Sequence, residues 1–259
     1  MKPARAIALM YHDVVPAGAP DASGFPGADA GRYKLTVEEF TAQLEALRGL
    51  PVGLIEPWPE GPAPLLLTFD DGGASAYAPV ADLLEARGWR GHFFVAAAFV
   101  GQPGFMTGPQ ARELRRRGHL VGSHSWSHPR VMRACGAAEL REEWRRSASA
   151  LAEILGEAVR AASVPGGYYS AAVAEAAAEA GIRVLFHSVP VTRVRREGGC
   201  LVLGRYAVMA GMRAGQCAAL ARGRRPAALR EWLRWQAKQA AKGASLGLYL
   251  RVRDWLVNR

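Results

Sequence analysis

Short apolar runs alternate along most of this chain with segments whose apolar residues recur at helical spacing. The first run, near the N-terminus, reads as a strand ending in His12 and Asp13. Thr36 then caps a helix whose inner face is Phe40, Leu44 and Leu47, closed by Gly49. Residues 52–55 read as a short strand, 57–64 as a proline-rich connection and 65–69 as a buried strand. Tyr77, Val80, Leu83 and Leu84 give the next helix, stopped by Gly88, and residues 91–95 the strand after it. Met106 and Thr107 open a helix with Ala111 and Leu114 inside and Arg115, Arg116 and Arg117 on a solvated face. A short apolar segment, Leu120-Val121-Gly122, follows. Residues 137–155 form a long helix with Leu140, Trp144, Leu151 and Leu155 inward. Then come a strand at 160–164, a helix at 171–179, a strand at 184–187 and a last strand at 201–208. Alternation of this kind predicts an α/β fold built on a parallel barrel of about seven strand–helix units. Residues 14–34, rich in Gly, Pro, Ala and Asp, form a long loop placed to cover the mouth of a site.

Two stretches carry candidate chemistry. The strand Leu65-Leu66-Leu67-Thr68-Phe69 ends abruptly in Asp70-Asp71-Gly72-Gly73. A buried strand that delivers carboxylates at its C-terminal end is the usual way α/β folds present reactive groups. Taken alone, the stretch is equally an Asp-Asp-Gly turn. Ser123-His124-Ser125-Trp126-Ser127-His128-Pro129 sets two histidines four apart after an apolar segment. Pro129 disfavours helix at His128, so a turn that curls both imidazoles toward one point is expected. Two histidines and one carboxylate make a facial ligand set for a divalent ion with open positions.

Thr68-Phe69-Asp70-Asp71-Gly72 and His124-Ser125-Trp126-Ser127-His128 resemble the first two motifs of the polysaccharide deacetylase family, the NodB-like carbohydrate esterases. The resemblance runs from about residue 5 to about residue 212. It implies a distorted (β/α)7 barrel and hydrolysis of N-acetyl groups on amino sugars, with Asp71, His124 and His128 holding a divalent metal and Asp70 acting as general base. Zinc suits the donor types, and nickel, cobalt or iron accept the same set. Ser163-Val164-Pro165-Gly166-Gly167-Tyr168-Tyr169 resembles the third motif, Arg-x-Pro-Tyr-Gly, with Ser163 in place of the arginine and Gly166 in place of the tyrosine. That leaves Asp70 without its usual partner. Gly166 is a candidate backbone N–H donor to the oxyanion, and Tyr168 a candidate substrate contact that is equally part of a Pro-Gly turn. The family's Leu-x-His near the C-terminal end has no counterpart after residue 190. Tyr11-His12-Asp13 instead resembles the permuted subgroup that deacetylates poly-N-acetylglucosamine of biofilm matrices, which makes His12 the candidate acid and Asp13 a carboxylate that could orient it. His187 is the alternative acid, and Arg205, at the end of a late strand, a candidate partner for a carboxylate. Peptidoglycan and chitin oligomers are the other substrates to weigh, and an inactive carbohydrate-binding barrel the other class.

Charge changes the picture only at the C-terminal end. The chain of 259 residues carries a net +10. Residues 213–259 hold eleven basic residues against Glu231 and Asp254. Trp232, Leu233, Trp235, Leu246, Leu248, Tyr249, Leu250, Trp255 and Leu256 are interleaved with them. This marks a domain from 1 to 212 and a basic amphipathic helical tail from 213 to 259. Such a tail suits an anionic membrane surface; a helix packed on the barrel with a solvated basic face fits as well. No nucleic-acid-binding signature accompanies the charge. Cys135, Cys200 and Cys217 are spaced for neither a disulfide framework nor a zinc knuckle. The N-terminal apolar run is too short for an export signal, so the expected location is the cytoplasmic side, peripheral to the inner membrane face.

Overall fold

The computed structural model describes residues 5–56, 62–237 and 239. In chain order the strands are β1 (Ile7–Tyr11), β2 (Val14–Val15), β3 (Leu35–Thr36), β4 (Leu65–Phe69), β5 (His92–Val95), β6 (Leu120–Ser123), β7 (Ala161–Ser163), β8 (Val184–His187), β9 (Arg195–Glu197), β10 (Cys200–Gly204) and β11 (Tyr206–Ala207). The helices are α1 (Ala28–Gly31), α2 (Val37–Ala46), α3 (Asp82–Glu85), α4 (Gly108–Arg116), α5 (Ala137–Leu155), α6 (Ala171–Glu179) and α7 (Ala214–Ala221). Residues 225–237 are also helical. One large sheet has the order β11-β1-β4-β5-β6-β7-β8-β10-β9, and every pairing in it is parallel except β9 with β10.

The sheet closes on itself through a broken strand. Residues 201–208, expected as one strand, split at Arg205. β10 pairs with β8 at one side of the sheet, while β11 pairs with β1 at the other. A single residue joins the two, so the sheet must curl until its edges meet. Counting β10 and β11 together gives seven parallel strands round the barrel. The unit between β8 and β10 is distorted, since the antiparallel β9 replaces a crossover helix.

Strand alternation sorts the side chains. On β4, Leu65, Leu67 and Phe69 face the helices and join the large outer core, where Phe69 stacks between Tyr11 and Phe93 at centroid distances of 5.3 and 5.0 Å. Leu66 faces the other way, into a second cluster with Ala8, Phe94, Phe186 and Leu203 that fills the barrel interior. Thr68 and Asp70 follow Leu66 at period two, so the same register that buries Leu66 aims Asp70 inside. Gly122 on β6 makes room there: a Cβ at that position would overlap the Ala161 carbonyl and the Phe94 ring.

Local signals hold where they are strong. Thr36 and Glu39 form a reciprocal capping box at the start of α2, with bonds of 3.2 and 2.9 Å. Three expectations are corrected. Residues 52–55 are not a strand; only Val52 bridges to Leu65. The arginines of α4 are ion-paired rather than simply solvated, Arg115 with Glu157, Arg116 with Glu113 and Arg117 with Asp82 and Glu85. The boundary drawn at 212 does not separate two bodies: α7 packs on α2, and its Cys217, Ala218, Leu220 and Ala221 are buried in the main core. Cys217 Sγ lies 3.3 Å from the Tyr11 hydroxyl. Parts of the proline-rich connection (57–61) and of the tail (238 and 240–259) lie outside the described residues. Among the described residues, no helix is long and apolar enough to cross a membrane.

Candidate active site

At the C-terminal end of β4 the chain turns sharply. Asp71 takes a left-handed backbone conformation (φ 75°), and so do Ser125 (φ 64°) and His128 (φ 57°) in the turn after β6. These are the only non-glycine residues with positive φ among the described residues. Such conformations are costly for residues with a Cβ and concentrate at functional sites. Here they bring Asp71, His124 and His128 together, with one ligand atom from each inside a 4.8 Å span. Asp71 Oδ1 is 3.4 Å from Nε2 of both histidines. It is buried and has no hydrogen-bond partner among the described residues. A buried carboxylate oxygen facing two imidazole nitrogens in this way fits a divalent cation. Burial alone would raise the Asp71 carboxyl, but the two imidazoles outweigh it and hold it well below the usual carboxylate range.

The turn that carries the histidines is pinned from α5. The carboxylate of Glu143 accepts from the backbone N–H of Trp126 (3.0 Å) and Ser127 (2.9 Å) and from the Ser127 hydroxyl (2.6 Å). The His128 N–H donates to Ser125 Oγ at 3.1 Å. His124 is oriented from behind. Its Nδ1 lies 2.5 Å from Ser163 Oγ and 3.0 Å from the Ser163 carbonyl. Ser163 Oγ in turn donates to Asp70 Oδ1 at 3.0 Å. Ser163 therefore receives the Nδ1–H, which leaves the Nε2 lone pair facing the metal position.

Asp70 is clamped by Arg205. Nη1 reaches Oδ1 at 2.7 Å and Nη2 reaches Oδ2 at 2.7 Å, a two-pronged pair with both side chains buried. Nη1 also donates to Thr68 Oγ1 (3.1 Å), Nε to the His187 carbonyl (3.5 Å), and the guanidinium lies against the rings of Phe94 and Phe186. Burial pushes the Asp70 carboxyl up; the Arg205 charge overrides it and the carboxyl ends below its ordinary value. The arginine absent at position 163 is thus supplied from the break in the last strand.

His12 leaves β1 toward the same cavity, its ring 4.7 Å from that of Tyr33. Its Nδ1 is buried without a hydrogen-bond partner among the described residues. Asp13 does not orient it. No hydrogen bond joins the two among the described residues: Asp13 Oδ1 accepts instead from Ser23 (2.6 Å) and Ser75 (2.8 Å), and Oδ2 has no partner. Gly24 and Gly73 flank this carboxylate, and a Cβ at either would collide with it. Burial raises the Asp13 carboxyl against the lowering effect of the two serines. Lys34, also buried, donates to the carbonyls of Pro20, Ser23 and Phe25 at 2.6–2.8 Å. Asp13 and Lys34 so fix the 14–34 loop as a wall over the site, with Phe25 4.8 Å from the His128 ring.

The cavity measures about 560 Å³ and is lined by His12, Asp13, Asp70, Asp71, His124, His128 and Gly166. Gly166 has φ +61°, and a Cβ there would press on the Tyr168 ring. Tyr168 is not among the lining residues; its ring lies under Arg133, 5.3 Å from the guanidinium. His187 is not among them either. Its Nδ1 accepts from the Val189 N–H (3.1 Å), and burial, with Arg205 and Arg195 adding to it, pushes the imidazole down to about 3.

The polysaccharide deacetylase family model matches residues 59–185. Over 69 residues the chain is 45% identical to the peptidoglycan-N-acetylglucosamine deacetylase of Listeria monocytogenes, a stretch that covers 26% of this chain and 14% of that protein. Among solved structures, IcaB from Ammonifex degensii superposes with a TM-score of 0.66 at 26% identity, covering 84% of this chain and 97% of that one. The deacetylase PplD of Streptococcus pyogenes, solved in complex with acetate, superposes with a TM-score of 0.67 at 18% identity, covering 83% and 96%. The chain carries a polysaccharide deacetylase domain on the fold of that family. His12 and Arg205 both lie outside the residues that the family model matches.

Proposed function

We propose that this protein is a metal-dependent hydrolase that removes N-acetyl groups from amino sugars of a polysaccharide or lipid-linked glycan. One observation carries the reading: the Asp71/His124/His128 set, the clamped Asp70 and His12 line a single cavity. Asp71, His124 and His128 would hold a divalent ion, whose chemistry there would be Lewis-acid polarisation of an amide carbonyl and a lowered pKa of a water. Asp70, kept ionised by Arg205, takes the proton from the attacking water. The Gly166 backbone N–H, on the cavity wall, is the donor for the oxyanion. His12 protonates the sugar amine as it leaves, a step the poor leaving group requires. The presence of Arg205 opposite Asp70 weighs against an inactive binding barrel, because it restores the partner that Ser163 lacks. An acid histidine that precedes the Asp-Asp strand supports a substrate of the exopolysaccharide type; the likeness to the Listeria enzyme supports peptidoglycan as the alternative. Acetate release from a panel of N-acetylated glycans, free and lipid-linked, with and without a chelator, tests the reading. Acetate from none of them, with metal present, would end it.

His12→Ala should lower kcat by about 10²–10⁴-fold, the usual size of general-acid catalysis. Bound metal should stay at the wild-type level, and the loss on an aryl acetate, whose leaving group needs less help, should be smaller. His187→Ala should not reproduce this pattern. If it did, and His12→Ala did not, the acid would be misassigned.

A second reading concerns location. We propose contact with an anionic membrane surface through the helix at 225–237. Leu229 is 58% exposed, Trp232 39% and Leu233 53%, and Arg225, Arg230 and Arg234 flank them. Basic residues near such a surface contribute about 1 kcal/mol each. Removing residues 214–259 would strip α7 from the core, so the test uses substitutions. Leu229→Ser, Trp232→Ser and Leu233→Ser together should release the protein from anionic liposomes in a sedimentation assay without lowering its melting temperature. Equal sedimentation of variant and wild type removes the reading.

A further inference from the structure

The helix at 225–237 buries Ala227 in the main core but keeps its larger apolar residues outside. Glu231, Trp235 and Gln239 recur every four residues, which puts them on one helical face. That face lines the same cavity as Asp70, Asp71, His124 and His128. Its apolar residues Leu229 and Leu233 point away and stand more than half exposed. A helix docked only to bury surface turns its leucines inward and its polar stripe out. Here Ala227 anchors the first turn of that face in the main core, and the turns after it present Glu231, Trp235 and Gln239 to the cavity in place of the leucines.

Trp235 adds the second observation. Its indole Nε1 is buried and has no hydrogen-bond partner among the described residues. Indole N–H groups that lose water normally find an acceptor. Beside it Glu231 and Arg234, both on the cavity wall, pair at 2.8 Å through one atom of each, and each side chain has further donor or acceptor positions. A tryptophan on the cavity wall, an N–H without a partner among the described residues and a few polar side chains beside it match the two-sided chemistry of a sugar ring.

We propose that Trp235, with Glu231 and Gln239, forms a glycan subsite that binds a sugar next to the one being deacetylated. The inference rests on the deacetylase reading for the identity of the reacting sugar, and on this helix alone for the subsite. It makes the C-terminal helix part of the substrate cleft and gives the enzyme a preference for oligomers over single sugars.

The test compares N-acetylglucosamine monomer and tetramer as substrates for the metal-loaded full chain. Wild type should favour the tetramer through a lower KM. Trp235→Ala should raise KM for the tetramer by about 3- to 10-fold, the range expected for loss of one aromatic contact, with KM for the monomer and kcat for the tetramer little changed. Trp235→Phe should recover much of the loss. Gln236→Ala, exposed on the same helix, should match wild type. Should Trp235→Ala fail to fold, Gln239→Ala replaces it with the same expected split. An equal rise in KM for monomer and tetramer, or no rise for either, overturns the subsite. Calorimetric titration with the tetramer, in wild type and Trp235→Ala, separates the two readings. Binding that needs Trp235, without acetate release, sinks the deacetylase assignment and keeps the subsite; acetate release with unchanged binding in Trp235→Ala does the opposite.

Discussion

His124→Ala and His128→Ala should each strip the protein of most of its bound metal and reduce deacetylation to background. The three candidate ligands sit on two separate turns, and each contributes one atom to the 4.8 Å cluster. With only three protein ligands, loss of one leaves a two-ligand site that competes poorly with buffer. Asp71→Asn should behave like the histidine variants. Asp70→Asn should not: it should keep the metal and still lose activity, because its oxygens are directed at Arg205 and Ser163 rather than at the imidazoles. Ser163→Ala should fall between, with metal affinity weakened by about 10- to 100-fold, since it removes the hydroxyl behind His124 and leaves the ligands in place. Metal content per chain, measured alongside acetate release, distinguishes these outcomes. If Asp70→Asn lost metal as completely as Asp71→Asn, the division of labour between the two carboxylates would be wrong. An ion that binds only the folded chain stabilises it, so chelation should also lower the melting temperature of wild type more than that of His124→Ala.

What the sequence made legible follows the range of each interaction. Asp70, Asp71, His124 and His128 are readable because strand, turn and ligand lie within a few residues of one another, and Pro129 excludes the competing helix. The capping box at Thr36 and Glu39 and the helix over Ala171–Glu179 are local for the same reason. Arg205 was only a candidate. Its partner is distant in sequence, and the pairing depends on a strand break that exists only once β10 and β11 close the barrel. Glu143 gives a weaker signal: it is an acid on the inward face of α5, three residues after Leu140 and beside Trp144. Such a residue must find donors, and it finds the backbone of the histidine turn.

Adjacency also misled. Asp13 follows His12 directly, which suggests a carboxylate–imidazole pair, yet Asp13 is tied to Ser23 and Ser75 instead. At the other end, the rise in positive charge after Met212 suggested a separate tail. The small apolar positions Cys217, Ala218 and Ala221 are core residues of the barrel, and Arg222 and Arg224 beside them hide that in a count of charge. A change in composition marks a change in surface, and the hydrophobic contacts continue across it.

Arg205→Met should be the most damaging single change to stability. Both members of the Arg205–Asp70 pair are buried and held by two bonds of 2.7 Å. Replacing such a pair by apolar groups is often neutral, whereas removing one member leaves a buried charge uncompensated, at a cost of about 3–5 kcal/mol. For a chain of this size that corresponds to a fall in melting temperature of roughly 6–20 °C. Arg205→Lys should lie between, because a single ammonium cannot bond both Asp70 oxygens, Thr68 and the His187 carbonyl in one plane. The double variant Asp70→Asn/Arg205→Met should recover part of the stability lost by Arg205→Met and none of the activity. This separation matters, since it distinguishes a residue that orients and charges the base from one that merely fills the barrel. Thermal melts of wild type, the two single variants and the double variant complete the cycle. A coupling below about 0.5 kcal/mol, the scatter expected of independent sites, would mean that the barrel interior tolerates Asp70 without Arg205. The closing arginine would then have no part in preparing the base.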